Sequence, residues 1–169
     1  MTIDPIIQLL ESRGAPYALI GGHALAARGF PRFTVDVDLM TTAAWILDGP
    51  VWAELQQQGA AVDRRRGDID DPLAGVVHLL LPDGTDVDLV LAKYQWEADV
   101  VGRAEPMLIR PGLRVPVPLA SDLILLKLAA GGSLDLRDAA TLLSADRQRL
   151  VREVEARLDS VRPDVRRAW

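Results

Sequence analysis

Apolar positions recur along this chain with two periods, and the changes of period mark its elements. From Ile3 to Ser12 the residues Ile6, Ile7 and Leu10 share one face at helical spacing, and Gly14 supplies a stop. Tyr17 to Ile20 is a short apolar run suited to a buried strand. After Gly21-Gly22, the run HALAAR reads as a short helix closed by Gly29. Between Arg32 and Leu39 the alternation is strict: Phe33, Val35, Val37 and Leu39 fall on one side of an extended chain, and Arg32, Thr34, Asp36 and Asp38 on the other. That pattern predicts a strand over 33–40 with all four apolar side chains in a core.

From Thr42 the pattern is helical, broken at Gly49-Pro50 and resuming through VWAELQQQ to Gly59. Strands are predicted at 61–66, 75–81 and 85–91, the last two joined by Pro82-Asp83-Gly84, a strong hairpin signal. A helix follows over 94–105. The stretch PMLIRPGLRVPVPLA, punctuated by four prolines, reads as a crossing with at most short strands. Helices are predicted at 121–130, 134–143 and 146–161, the last with Leu150, Val154 and Leu158 facing inward. The order predicts an α/β (α+β) fold: a mixed β-sheet of about four to five strands flanked by helices. Residues 1–118 form its core, and 119–169 a C-terminal helical segment packed on it.

Composition narrows the chemistry. The 169 residues fit one domain, and 49% hydrophobic with 25% charged residues is ordinary globular usage. There is no cysteine, so disulfides and thiolate metal sites are excluded and a reducing cytoplasm is the natural compartment. With only His23 and His78, a histidine-rich zinc site is disfavoured. No apolar run approaches the ~20 residues that span a bilayer, and MTIDPIIQLLESRG lacks the order of a secretory signal, so no membrane association is expected. The net charge of −5 means that a nucleic-acid partner would need a local basic patch. The candidates are Arg64-Arg65-Arg66 and the stretch 145–169, with seven arginines against five acids.

Aspartate is poorly suited to strands, and like charges on one face destabilise, so Asp36 and Asp38 are unusual neighbours. Either they lie on a solvated outer face, or a counter-charge sits between them. Magnesium fits the second reading, because it takes oxygen ligands from one or two carboxylates plus substrate phosphates. Gly21-Gly22 at a strand-to-helix turn offers free backbone N–H groups to a phosphate. In TDVDLVLA, Asp86 and Asp88 share a face opposite Val87, Leu89 and Leu91. If this strand lies beside the Asp36–Asp38 strand, a third carboxylate joins the pair, as in two-metal phosphoryl or nucleotidyl transfer. Asp86 fits the polar face of the hairpin better. In SDLILLKLAA, Ser121 and Asp122 suit a helix start, and Lys127 is the one further polar residue. Its ammonium must snorkel to solvent or meet an anion. Asp135 and Asp138 can pair with it, pair with arginines, or be solvated.

GGHALAARGFPRFTVDVDLM resembles the Gly-Gly…Asp-x-Asp signature of the DNA polymerase β-like nucleotidyltransferase superfamily. Within it, the motif is most similar to the AbiEii-like toxin-type group. VDLVLA and PLASDLILLKLAAGGSLDLRDAATLL extend the likeness over roughly residues 15–143. The resemblance implies a nucleotidyltransferase fold and transfer of a nucleoside monophosphate from an NTP to a hydroxyl of RNA, tRNA or protein; its toxin-type members further imply a toxin role in a toxin–antitoxin or phage-defence system, with an antitoxin protein as partner. It implies two Mg2+ ions, replaceable by Mn2+, on Asp36, Asp38 and Asp88. It also implies nucleotide contacts from Gly21, Gly22, Arg32, Thr34 and Lys127, with Asp135 and Asp138 beside the lysine. Two departures stand out: Gly22-His23 where many members carry Gly-Ser, and Gly132 where many toxin-like members carry arginine.

Overall fold

In the computed structural model, which describes residues 3–169, helix α1 (Asp4–Ser12) leads into strand β1 (Tyr17–Ile20) and helix α2 (Gly21–Ala27). Strand β2 (Val37–Thr41) follows, then two 3₁₀ turns (Ala44–Leu47, Gly49–Trp52) and helix α3 (Ala53–Gln57). Strands β3 (Ala61–Arg66), β4 (Gly75–Leu80) and β5 (Asp86–Leu91) come next, with the predicted Pro82-Asp83-Gly84 turn joining the last two. Helix α4 (Gln95–Gly102) leads to a hairpin of β6 (Glu105–Arg110) and β7 (Leu113–Val117). The chain ends with α5 (Ala120–Ala130), α6 (Ser133–Ala145), α7 (Arg147–Glu155) and α8 (Pro163–Ala168).

The main sheet has the order β1-β2-β5-β4-β3, and β2 and β5 are its one parallel pair. Strand alternation divides it into two faces. Val37, Leu39, Val87, Leu89, Val77 and Leu79 are fully buried in the principal core with Ile6 and Leu10 of α1 and with Trp52. The opposite face is apolar at one end only, where Ala18 and Met40 pack with Val101 of α4 and Leu126 of α5. Beyond that patch the same face carries Asp38, Asp88, Asp86, His78 and Asp63, with Val76 and Leu80 of β4 among them.

Four elements differ from the pattern-based expectation. The predicted strand over 33–40 begins only at Val37, and Phe33 and Val35 are 89% and 64% exposed rather than in the core. The segment before β2 instead folds its polar side chains back over α2, placing Thr34 against Gly22 and Arg32 beside Asp138 of α6. The proline-rich crossing is a true two-stranded sheet. Its prolines face each other at Pro106 and Pro116, which a ladder of only two strands tolerates. The helical stretch after Thr42 is largely 3₁₀, because Asp48-Gly49-Pro50 interrupts it. The last predicted helix stops at Glu155, and Pro163 starts a separate one.

Arginines lock the C-terminal helices to the body. Asp122 at the start of α5 is fully buried and pairs with Arg103 at 2.9 Å and Arg157 at 3.5 Å. Arg28, at the end of α2, donates to the carbonyls of Pro118 and Val117, each at 2.9 Å, and to Glu105. The end of α2 is thereby fixed to the end of β7, just ahead of α5. Among the described residues, no helix is long and apolar enough to cross a membrane.

Candidate active site

The polar half of the open sheet face is a single row. Strand register sets Ile20, Asp38, Asp88, His78 and Asp63 side by side from β1 to β3. Neighbouring strands lie about 4.8 Å apart, so Asp38 and Asp88 are direct lateral neighbours. Asp86 is one side-chain step further along β5, opposite Leu80. Of the two acids in the hairpin strand, Asp88 is therefore the one beside Asp38.

Asp38 is the most constrained of these groups. Its carboxyl is pushed up to about 6, first by burial and next by the charge of Asp88; Lys127 opposes the shift, Asp36 adds to it and Arg32 opposes it. Gly21 explains how the carboxylate fits. With φ +64 it adopts a left-handed conformation, and a Cβ at that position would land on the Asp38 carboxylate. Gly22 is needed for a similar reason, since its Cβ would lie 2.8 Å from Cβ of Thr34. The glycine pair thus admits Asp38 and Thr34 over the turn, a packing role that the phosphate-cradle reading did not include.

A cleft of about 400 Å³ opens over this turn, lined on one wall by Gly21, Arg32, Thr34, Asp36 and Asp38 and on the other by Lys127 and Asp135. Lys127 is only 7% exposed. It does not snorkel: Nζ donates to Asp135 at 2.7 Å and lies 3.0 Å from Asp138 Oδ2. That same oxygen is 3.2 Å from Nε of Arg32, an ion pair without hydrogen-bond alignment. Both cations of the cleft therefore already face carboxylates. The departure at Gly132 has a local cause. A Cβ there would come 2.7 Å from Oδ2 of Asp135, so glycine leaves room for Asp135 to fold back over the start of α6, where its other oxygen reaches Lys127.

A second cavity, of about 260 Å³, lies on the other side of Asp88 and is lined by Asp63, Arg65, Val76, His78 and Asp88. His78 Nδ1 is 2.8 Å from Asp88 Oδ1 and 3.3 Å from Asp86 Oδ1. A carboxylate only accepts, so Nδ1 carries the proton, and the shorter contact to Asp88 is the hydrogen bond. That bond is the main cause of the raised proton affinity of His78, which the charges of Asp86, Asp88 and Asp63 raise further against some desolvation. Sequence reasoning passed over His78. Its signal was the i, i+2 alternation of β4, which sets it opposite Asp88 once the hairpin is folded. The basic triplet is split by the same alternation: Arg65 lines this cavity, whereas Arg64 turns to the other face and donates to the Leu47 carbonyl at 2.8 Å. In the C-terminal stretch, Arg149, Arg157, Arg162 and Arg166 each have an acidic partner.

The donor chemistry suits a hard divalent cation. Asp36 and Asp38 offer only oxygen, and a desolvated carboxylate crowded by two others is what such a cation relieves. The three carboxylates do not converge as they stand: among the described residues, no group of three or more acidic or histidine side chains is gathered closely enough to hold a metal ion. His23, the other departure from the motif, has its proton affinity lowered by burial and by Arg32, and its Nε2 is buried without a hydrogen-bond partner.

No family model matches the chain, and no curated protein matches it. Its fold is similar to that of the antibiotic-resistance factor ANT(2'')-Ia in two structures. The solution structure aligns with TM-score 0.61 and 18% identity over 94% of this chain and 89% of that one. The crystal structure in complex with adenylyl-2''-tobramycin aligns with TM-score 0.58 and 16% identity over 91% and 93%. The five-stranded mixed sheet flanked by helices is a nucleotidyltransferase-type fold.

Proposed function

We propose that this chain is a metal-dependent nucleotidyltransferase that moves a nucleoside monophosphate from an NTP to a hydroxyl. One observation carries the reading: a desolvated Asp38, crowded by Asp36 and Asp88, lies over the Gly21 turn on the same wall as Arg32 and faces Lys127 across the cleft. Asp36 and Asp38 would hold Mg2+, which supplies charge neutralisation for the triphosphate. Lys127 and Arg32 exchange their carboxylate partners for phosphate oxygens and offset charge on the leaving pyrophosphate. Gly21 and Thr34 would form the phosphate end of the cleft, with Gly22 packed beneath Thr34. Asp88 accepts the proton of the incoming hydroxyl.

The acceptor enters from the β3–β4 side, across the cavity lined by Asp63, His78 and Asp88. Asp63 and Asp88 line it beside Arg65 and His78, and the exposed Asp63 offers a carboxylate to an amine of a small hydroxyl compound. The adenylylated tobramycin in the ANT(2'')-Ia complex is a product of that chemical class. An RNA, tRNA or protein acceptor, and with it a toxin role and an antitoxin partner, is supported by the AbiEii-like motifs alone.

A catalytically silent nucleotide-binding module is the competing reading. It is favoured by carboxylates that do not converge and by cleft cations already paired with Asp135 and Asp138. α-labelled NTPs with Mg2+, presented in turn with amine-bearing polyols and total RNA, separate the readings. Label on a polyol supports the proposal, label on RNA moves the acceptor assignment, and tight NTP binding with no transfer supports the module.

A further inference from the structure

The row Asp38–Asp88–His78 joins two cavities, and its members are divided between them. Asp38 lines the nucleotide cleft and Asp88 does not; Asp88 lines the cavity over β3 and β4 and Asp38 does not. Two carboxylates at the same register position on adjacent strands would ordinarily be equally available to a cation between them. Here one oxygen of Asp88 is held by His78 on the far side, and three carboxylates fail to gather.

We propose that His78 is a positioning residue: by donating Nδ1–H to Oδ1 of Asp88, it turns that carboxylate from Asp36 and Asp38 toward the acceptor, so that Asp88 serves the hydroxyl and is not a metal ligand. The inference rests on the nucleotidyl-transfer reading and fixes the division of labour within it. Oδ2 of Asp88 remains free to accept the hydrogen bond of the acceptor hydroxyl. As the hydroxyl oxygen bonds to the α-phosphorus, its proton passes to Asp88. The bond from the α-phosphorus to the bridging oxygen breaks, and pyrophosphate leaves with the electron pair. Asp86, whose Oδ1 lies 3.3 Å from the same Nδ1 without a hydrogen bond, flanks the imidazole and stabilises its orientation.

The substitutions separate this role from a merely structural one. In His78→Ala, Asp88 is released to swing toward Asp36 and Asp38, so metal binding tightens while transfer slows. His78→Asn retains a donor near the Nδ1 position and restores both values. Mn2+ binding to the full chain, in the presence of an α,β-methylene NTP analogue, is followed by EPR alongside single-turnover transfer. The expected result is Mn2+ affinity unchanged in Asp88→Asn, lost in Asp36→Asn, and raised several-fold in His78→Ala, with transfer in His78→Ala down by about tenfold, on the scale of outer-shell effects. The gain in affinity disappears in the His78→Ala/Asp88→Asn double variant. Mn2+ affinity that falls in Asp88→Asn as it does in Asp36→Asn overturns the proposal, as does an affinity that does not rise in His78→Ala. If wild-type protein transfers to no acceptor, the function reading fails separately, and the Mn2+ comparison still decides where Asp88 acts.

Discussion

Asp38 and Asp88 occupy the same register position on neighbouring strands, yet Asp38 lies against Gly21 under α5 while Asp88 lies in the open beside His78. The neighbouring elements make the difference. On the β1 side, Arg28 ties the end of α2 to the carbonyls of Val117 and Pro118 at the end of β7, and α5 sets Leu123, Leu126 and Lys127 along the cleft that holds Asp38. On the β3 side Asp63 and Arg65 remain exposed. Removal from water raises the cost of charge on Asp38 and makes a cation its natural partner, whereas a solvated carboxylate with a histidine beside it can meet a substrate that comes and goes. One sheet thereby carries a fixed side for the nucleotide and an open side for the acceptor.

The largest test of that contrast is Asp38→Asn. Transfer should fall by about 10³-fold, the upper scale for losing one electrostatic contributor, with an unchanged circular dichroism spectrum. The melting temperature of the metal-free protein should rise, because the amide relieves the crowding with Asp36 and Asp88. A lower melting temperature would mean that Asp38 is a structural group. Next, Lys127→Ala leaves the buried Asp138 with Arg32 as its remaining cation, and urea unfolding should report a loss of up to about 3 kcal/mol, the lower end for breaking a buried ion pair. A loss near zero would place Lys127 outside the network.

Two glycines then separate backbone strain from site geometry. Gly21 and Gly29 have φ +64 and +93, but a Cβ at Gly29 meets nothing within 4 Å. Alanine at either position should cost about 1–2 kcal/mol of left-handed strain, while only Gly21→Ala should also abolish transfer, by displacing Asp38. The smallest effect is a pH trend. Asp38 binds its proton more tightly folded than unfolded. Its contribution to stability is therefore full below the ordinary value of 3.8 and lost as pH rises through about 6. His78, also raised, acts in the same direction at higher pH. Melting curves from pH 4 to 8 should show a decline in metal-free wild type that is smaller in Asp38→Asn and offset by Mg2+. Parallel curves for the two proteins would refute the assignment.

Much of this arrangement was legible in the residues. The alternation in TDVDLVLA and the Asp-Gly turn placed β5 and its hairpin, and an apolar helix interrupted by one lysine left that ammonium to reach solvent or an anion, of which the fold has the second. The strand over 33–40 was misplaced because alternation alone cannot distinguish a core face from a segment that folds back. What decides it is the close approach of Thr34 to Gly22, a contact between positions far apart on an extended chain. Short strands were allowed for in the proline-rich crossing, but the pairing of β6 with β7 was not legible, because prolines argue against a ladder except at sheet edges. His78 carried no motif, and its position opposite Asp88 follows from register, which becomes visible only when β4 and β5 pair.

The central claim, that the Asp38 side of this row supports nucleotidyl transfer, is tested most directly by pyrophosphate release. Wild type and Asp38→Asn are each given NTP, Mg2+ and an amine-bearing polyol, and pyrophosphate is counted against labelled product. Transfer predicts one pyrophosphate per labelled acceptor in wild type, dependence on the divalent ion, and near-complete loss in Asp38→Asn. Equal release from both proteins, or NTP bound tightly by wild type with no pyrophosphate formed, would contradict it.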